Sequence, residues 1–179
     1  MWGAQFELGS FASPYIPTAV SAVTRAIETA QLGPLPTALL QRPEVSTVVR
    51  VRPQYWGGGG ISTLLGGQHT NLLPLYVHTN AQIASWNGTL ALTNNLQSGA
   101  LDTQNLGLVF GQNSSGRTIS VNGSTPTSDV GTLTGITAAY LSRTGTQGGL
   151  YFLPAGYDEL VIFPSRLSAT LQTQARSYP

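Results

Sequence analysis

The sequence contains no cysteine, and charged residues make up only 8% of its 179 residues, against roughly 25% in an ordinary globular protein. Without cysteine there is no disulfide framework, no thiol chemistry and no cysteine-ligated metal. Lysine is also absent, so all eight basic residues are arginines, and seven acidic residues leave a formal net charge of +1. A near-neutral chain without basic runs argues against binding to the nucleic acid backbone or to an anionic membrane surface.

Long apolar runs are missing as well. Hydrophobic residues make up 41% of the chain, yet no stretch approaches the roughly 18 consecutive apolar residues of a transmembrane helix, so we predict no membrane insertion. The chain is long enough to bury a hydrophobic core without disulfides. Its polar residues are mainly Ser, Thr, Asn and Gln, and many alternate with apolar residues, which favours strands over helices.

Nine short segments show this alternation and predict an all-β fold. Clusters of Gly, Asn, Ser and Pro separate them, and they comprise residues 45–52, 61–65, 72–78, 82–86, 89–93, 106–110, 118–121, 137–141 and 159–163. Asn87-Gly88 and Asn122-Gly123 lie between such segments, where Asn-Gly is typical of a two-residue hairpin turn. We therefore predict an antiparallel β-sandwich of the jelly-roll type, followed by a short C-terminal helix over residues 168–176 that Ser168 caps.

The chain changes character twice before these segments begin. Residues 1–32 contain several aromatic residues and two prolines, and they are too few to form a core alone. We predict that they form an extended N-terminal arm or the last strand of a preceding module. Gly33-Pro34-Leu35-Pro36 opens a proline-rich linker over residues 33–43, which is predicted to be extended. Residues 44–179 form the predicted jelly-roll domain.

The order of motifs in this domain resembles a known family. A strand ending in Arg50-Val-Arg-Pro is followed by Arg117-Thr-Ile-Ser-Val-Asn-Gly and by the closing string Gly156-Tyr-Asp-Glu-Leu-Val-Ile-Phe-Pro-Ser-Arg-Leu-Ser. This order is similar to concanavalin A-like domains of the laminin-G type. The resemblance covers residues 44–179 and implies a jelly roll with a short helix after its closing strand.

A second resemblance lies in the N-terminal arm. The string Trp2-Gly-Ala-Gln-Phe-Glu-Leu-Gly-Ser-Phe-Ala-Ser-Pro-Tyr-Ile-Pro-Thr, followed by Ala22-Val-Thr-Arg-Ala, is similar to a phrase in structural proteins of tailed bacteriophages. The resemblance implies a virion protein on the head or tail surface, made in the cytoplasm of the bacterial host. It also implies homo-oligomers, with a trimer favoured, and docking of the arm on other virion proteins. The docking residues would be Trp2, Phe6, Phe11, Tyr15 and Ile16.

Carboxylates are too few and too scattered to predict an enzyme. Concanavalin A-like folds include glycoside hydrolases, whose two catalytic carboxyl groups lie about 5–9.5 Å apart. Only Asp158 and Glu159 are adjacent in the domain, and on a regular strand they point to opposite faces. We predict instead that one of them contacts Arg166 or a backbone turn and fixes the closing strand. Related laminin-G domains often bind calcium, but with so few carboxylates we predict no metal and no cofactor.

The clearest candidates for ligand contact are aromatic residues beside a run of glycines. Tyr55 and Trp56 precede four consecutive glycines. An aromatic ring beside a loop at the edge of a sandwich can stack on a sugar, while His69 and Asn71 supply hydrogen bonds. The alternative is that Trp56 packs in the core. Trp86 precedes a predicted turn and is expected to pack across strands.

Two functions stay open from the sequence. The first, implied by the N-terminal phrase, is a non-enzymatic phage surface protein, such as a decoration, fibre or spike component that stabilises the particle or attaches it to the host. The second is a carbohydrate-binding module for host, cell-surface or environmental glycans. A glycoside hydrolase of the same fold is a weaker third hypothesis.

Overall fold

The alternating segments assemble into two antiparallel sheets that pack face to face, which confirms the predicted β-sandwich. The computed structural model describes residues 30–53, 61–68, 72–78, 82–89, 91–95, 105–142 and 155–174. Its elements are β1 (Ala30–Gln31), α1 (Pro34–Leu40), β2 (Val45–Pro53), β3 (Ser62–Gly67), β4 (Leu73–Val77), β5 (Gln82–Trp86), β6 (Ala91–Asn95), β7 (Leu106–Asn113), β8 (Gly116–Val121), β9 (Thr127–Asp129), β10 (Ala139–Leu141), β11 (Ala155–Phe163) and α2 (Ala169–Gln174). The six-stranded sheet has the order β1-β10-β3-β4-β5-β6, and the five-stranded sheet has the order β11-β2-β7-β8-β9.

Each of the nine predicted segments overlaps a strand, although several boundaries differ by a few residues. The sequence does not predict β1 and β9. These strands have two and three residues and, unlike the equally short β10, neither lies within a longer segment with a recognisable period of two. Both are added at the edges of their sheets by pairing, β1 with β10 and β9 with β8.

Residues 34–40 form a helix where the sequence predicts an extended linker, and that prediction is wrong. Pro34 lies in the first turn, where a backbone N–H has no partner within the helix and the fixed φ of proline suits the helix. Thr37 and Leu40 are buried, and Leu40 belongs to the main hydrophobic core. Burial of this face therefore favours the helix over an extended chain.

The core lies between the sheets and is built from the inward side chains of alternating residues. In β2 the inward residues include Val49, which pairs with Leu108 of β7 on one side and Leu160 of β11 on the other. Val49 and Leu108 are completely buried, as are Leu75 and Ile83 of the opposite sheet. Removal of these apolar surfaces from water is the main force that holds the two sheets together.

Residues 130–138 cross from the five-stranded sheet to the six-stranded sheet without regular structure, and side-chain amides hold them in place. The Gln112 side chain accepts a hydrogen bond from Leu133 N over 2.9 Å and donates to Leu133 O over 3.2 Å. At the far end, Gln68 accepts from Thr137 N over 2.9 Å and donates to Gly135 O over 2.6 Å. These bonds replace the strand pairing that the crossover lacks.

One of the two predicted Asn-Gly hairpin turns is present, at Asn122-Gly123. Asn122 and Gly123 have positive φ angles of 49° and 76°, and Ser124 N donates to Val121 O over 2.8 Å, which closes a two-residue turn. At the other pair, Gly88 has a φ of 92°, but Trp86 pairs with Ala91. The predicted two-residue turn is therefore wrong for Asn87-Gly88.

The C-terminal helix lies where the sequence predicts it. Ser168 caps α2, because Leu171 N donates to its Oγ over 3.3 Å. Leu167 N donates to Ser46 Oγ over 2.8 Å and fastens the preceding segment to the outer face of the five-stranded sheet. Within the described ranges, no helix has the length and apolar character needed to cross a membrane.

Candidate functional site

The residues that the sequence proposes for ligand contact lie outside the described residues. These are Tyr55, Trp56, His69 and Asn71. The predicted docking residues also lie outside the described residues, and they are Trp2, Phe6, Phe11, Tyr15 and Ile16.

The outer face of the six-stranded sheet carries a cluster of aromatic and neutral polar side chains. Cross-strand partners share a face, and Thr63, Tyr76 and Ala84 are partners in adjacent strands. Alternation places His78 and Gln82 on the same side, and Trp86 is there as the partner of Leu73. We call the surface formed by Thr63, Tyr76, His78, Gln82 and Trp86 the aromatic face.

The aromatic face has a buried centre and a more accessible margin. Tyr76 is 2% exposed and Thr63 is completely buried, while His78, Gln82 and Trp86 are half-buried. The rings of Tyr76 and His78 lie 6.1 Å apart at an interplanar angle of 54°. The hydroxyl of Thr63 has no hydrogen-bond partner. The margin thus offers the indole ring of Trp86, the imidazole of His78 and the amide of Gln82 to a ligand, on a floor fixed by the sheet.

A buried ion pair supports this face from the inside of the sandwich. Arg117 of β8 is completely buried, and its Nε donates to Asp129 Oδ1 over 3.1 Å while its Nη2 contacts Asp129 Oδ2. Its Nη1 donates to Ser85 Oγ over 3.3 Å. Because Ser85 immediately precedes Trp86 in β5, the ion pair fixes the strand that carries the tryptophan.

Gly131 lies where this ion pair meets the crossover. A Cβ added at Gly131 would lie 2.9 Å from both Arg117 Nη2 and Asn87 Nδ2, so a larger residue would displace the ends of these two side chains. Asn87 Nδ2 donates to Thr132 O over 3.3 Å and holds the loop after Trp86 against the crossover. The loop after Trp86 is therefore held by the crossover through Asn87, and the strand before it is held by Arg117 through Ser85.

Burial raises the pKa of the Tyr76 phenol above its ordinary value, and the positive charge of Arg117 acts in the opposite direction. Tyr76 therefore stays protonated at neutral pH and presents an O–H group that can donate as well as accept a hydrogen bond.

Asp158 and Glu159 differ from the sequence prediction in their orientation and in their partners. A β-bulge falls between Tyr157 and Glu159, so the two carboxylates point to the same side, whereas a regular strand would separate them. Arg52 Nη2 lies 2.6 Å from Asp158 Oδ1, and Arg50 Nε lies 3.2 Å from Glu159 Oε2. The predicted contact with Arg166 is therefore wrong for both carboxylates.

Arg166 has a different role from the one the sequence predicts. Its Nη1 donates to Asn113 Oδ1 over 2.7 Å, and its side chain passes over Gly111, since a Cβ at Gly111 would approach Arg166 Cγ to 3.4 Å. It fastens the chain after β11 to the outer face of β7. Among the described residues, no group of three or more His, Asp or Glu side chains is placed to hold a metal ion.

The sequence does not single out Tyr76, His78 and Trp86 as one surface. Tyr76 and His78 are two residues apart on one predicted strand, and Trp86 ends the next, so the alternation contains a signal that could have grouped them. The bulge between β4 and β5 nevertheless changes the register from Tyr76 to Leu73. Alternation within β5 places Trp86 on the side of Ala84, and only the pairing of β4 with β5 shows that this is also the side of Tyr76. The predicted cross-strand packing of Trp86 is present, because it packs against the small cluster of Leu73, Tyr76 and Ala84.

The fold and the aromatic face define an antiparallel β-sandwich domain with a sheet surface suited to small neutral polar groups. No protein-family model matches the sequence, and no curated protein resembles it in sequence.

Among solved structures, the chain is similar to the CBM40 domain of the Ruminococcus gnavus IT-sialidase bound to α2,3 sialyllactose. The TM-score is 0.60 at 13% identity, over 82% of this chain and 90% of that chain. The same domain bound to α2,6 sialyllactose gives a TM-score of 0.56 at 13% identity, over 78% and 86% of the two chains. A Trypanosoma rangeli sialidase in complex with 2,3-difluorosialic acid matches with a TM-score of 0.58 at 16% identity, over 76% of this chain.

The chain spans only 23% of the length of that sialidase, but 90% of the length of the CBM40 domain. At these identities the similarity establishes a shared β-sandwich fold.

Proposed function

We propose that this domain is a non-enzymatic carbohydrate-binding module whose glycan contacts the margin of the aromatic face. The observation that carries the proposal is the position of Tyr76, His78 and Trp86 on one side of a single sheet, next to the amide of Gln82. Aromatic rings stack on the apolar face of a sugar ring, while amide and hydroxyl groups pair with its hydroxyls. The likeness in fold to a module solved with sialyllactose supports the proposal.

The non-enzymatic part of the proposal rests on the two adjacent carboxylates. Asp158 and Glu159 are each within ion-pair distance of an arginine on β2, and they lie on the outer face of the other sheet. A glycosidase needs one carboxyl group that is free to protonate the leaving group and a second beside the sugar. Because each of the two carboxylates contacts an arginine, neither is free to take that role.

The test is a glycan array followed by calorimetric titration of the best ligand, with α2,3 sialyllactose as the first probe. We expect Trp86→Ala to weaken binding by at least about tenfold, as loss of an aromatic anchor does. Gln82→Ala, at the margin, should weaken binding several-fold without changing the packing of Trp86.

Phe163→Ala is the matched control, because Phe163 is a half-buried aromatic residue on the five-stranded sheet. It should leave affinity unchanged. Thermal unfolding of each variant verifies that it is folded. A chain that binds no glycan on the array, or equal losses in Trp86→Ala and Phe163→Ala, would overturn the proposal.

A role on a phage particle is a second proposal, favoured by the N-terminal phrase that begins at Trp2. It predicts that deletion of residues 1–29 abolishes incorporation into particles and formation of homo-oligomers. The deletion keeps Ala30 and Gln31, which pair with β10, so the sandwich should stay folded. Normal incorporation of the shortened chain would contradict this role, and circular dichroism of the same chain shows whether the sandwich is intact.

A further inference from the structure

An open cleft of about 580 Å³ lies between α1 and the end of the six-stranded sheet, away from the aromatic face. Its volume falls within the range of about 300–1,000 Å³ that is typical of small-molecule sites. Gln31 and Gln41 contribute amides, and Thr37 and Thr137 contribute hydroxyls, while Leu32 belongs to its apolar wall.

The lining is neutral, and this restricts the chemical class of a ligand. None of the described residues that line the cleft is charged. A charged ligand would lose water there without gaining a counter-ion. Amide and hydroxyl groups each donate and accept hydrogen bonds, as the hydroxyls of a sugar do, and Pro34 and Ala38 add apolar surface to the wall.

The walls of the cleft are held by the fold. Leu32 N donates to Ala139 O over 2.8 Å, and Thr37 Oγ1 donates to Leu32 O over 3.4 Å, so β1 and α1 are joined. On the other wall, Thr137 N is bonded to Gln68 Oε1 over 2.9 Å. The cleft therefore exists before any ligand binds, which lowers the entropic cost of binding.

Gly33 keeps the cleft open, although nothing in the backbone requires glycine at this position. Its φ is −63° and its ψ is 175°, an extended conformation that any residue adopts, and it caps α1 without a side-chain hydrogen bond. A Cβ added there would meet no atom within 4 Å. A larger side chain is therefore accommodated without strain at this residue, which lines the cleft.

From these four observations we propose that the cleft is a second ligand site, which takes a neutral, hydroxyl-rich molecule of about the size of one sugar unit. The site is independent of the aromatic face. A chain with both sites would contact a branched or extended glycan at two separate points, and two linked contacts raise the apparent affinity without new chemistry.

The test is titration of the isotope-labelled full chain with galactose, glucose and N-acetylglucosamine, followed by amide NMR. Concentrations up to about 50 mM detect affinities in the millimolar range. We expect saturable shifts at Leu32 and Thr137 and at the side-chain amides of Gln31 and Gln41. Gly33→Trp should weaken this binding by at least about tenfold, because the indole occupies the cleft.

Gly33→Ser is the matched control, since it changes the same residue but leaves the cleft open, and it should bind as the native chain does. Trp86→Ala should also keep the shifts at the cleft, so failure of glycan binding at the aromatic face is distinguished from failure of this site. The absence of saturable shifts with all three sugars, or shifts that Gly33→Trp leaves unchanged, overturns the proposal.

Discussion

Arg117 illustrates what arginine provides at a position where lysine would not suffice. Its guanidinium bonds both carboxylate oxygens of Asp129 and also the hydroxyl of Ser85, all within the sandwich. A guanidinium donates two parallel hydrogen bonds to a carboxylate, whereas the ammonium group of lysine is a compact point charge. At this buried position the chain therefore has a physical reason to use arginine.

Tyr157 connects the edge strand of one sheet to the other sheet. Its hydroxyl donates to Leu64 O over 2.6 Å and accepts from Ser142 N over 3.0 Å. Burial raises the pKa of this phenol to about 12, while the hydrogen bonds with Ser142 act in the opposite direction. A phenolate could not donate to Leu64, so ionisation removes one of the bonds between the sheets.

The stability of the protein should therefore fall in alkaline solution through Tyr157. Its pKa is higher in the folded chain than the ordinary 10.0, so the folded state retains a proton that the unfolded state loses. The contribution is complete below about pH 10 and is lost as the pH rises toward 12. We expect the free energy of unfolding, measured in urea between these pH values, to fall more steeply in the native chain than in Tyr157→Phe.

At neutral pH the same Tyr157→Phe variant should lose about 1 kcal/mol, the net contribution of a typical hydrogen bond. Identical pH profiles of the native chain and the variant would show that another group governs alkaline unfolding.

Residue contacts were the part of the candidate site that the sequence could not predict. Asp158 and Glu159 are adjacent, and only the bulge in β11 brings both to the side of Arg50 and Arg52. A bulge depends on how two strands pair, and pairing joins residues that are about a hundred positions apart in the chain. The alternation of residues within one strand therefore does not predict where a bulge lies.

At the scale of elements, the irregular crossover depends on Gln112. This side chain is 1% exposed and bonds both backbone groups of Leu133, and its Nε2 also donates to Arg42 O over 3.1 Å. One amide therefore joins α1's C-terminal end, β7 and the crossover.

Replacement of Gln112 by leucine should destabilise the protein by about 2–4 kcal/mol, because buried backbone groups would lose their partner without access to water. Urea unfolding at neutral pH measures this loss. Gln68→Leu is the control, since its bonds to Gly135 and Thr137 are exposed and water can replace them, so the cost should stay below about 1 kcal/mol. Equal losses in the two variants would show that burial does not decide the effect.

The elements themselves were predictable where their pattern is local. Strands of five or more residues show the period of two, and Ser168 identifies the start of α2 by its capping chemistry. Helix α1 was not predicted, because two prolines within four residues are more typical of an extended linker than of a helix. Its formation depends on the burial of Leu40 in the core, which is a tertiary effect.

At the scale of the whole molecule, the outer faces of the two sheets carry different side chains. The end of the five-stranded sheet near Ser46 is fastened to the C-terminal segment through Leu167, and ion pairs occupy its outer face at β2 and β11. The six-stranded sheet carries the aromatic face instead. Because the two outer faces differ in this way, we propose the glycan contact on the six-stranded sheet. Phe163, which lies on the five-stranded sheet, is therefore a suitable control.

The low charge of the sequence is consistent with this difference between the outer faces of the two sheets. Among the described residues, the carboxylates of Asp129, Asp158 and Glu159 are each within ion-pair distance of an arginine, so they stabilise the sandwich. Recognition on the aromatic face would then rest on rings and neutral hydrogen-bonding groups, which suits a sugar.

By itself the sequence determined the all-β class, the approximate strands, the turn at Asn122-Gly123 and the capped C-terminal helix, because each depends on residues that are close together in the chain. Only the tertiary structure decided which strands are neighbours, that residues 34–40 are helical, and that Tyr76, His78 and Trp86 share one surface. The reason is physical: strand register, bulges and burial are set by contacts between distant residues, and a shift of one position moves a side chain to the opposite face.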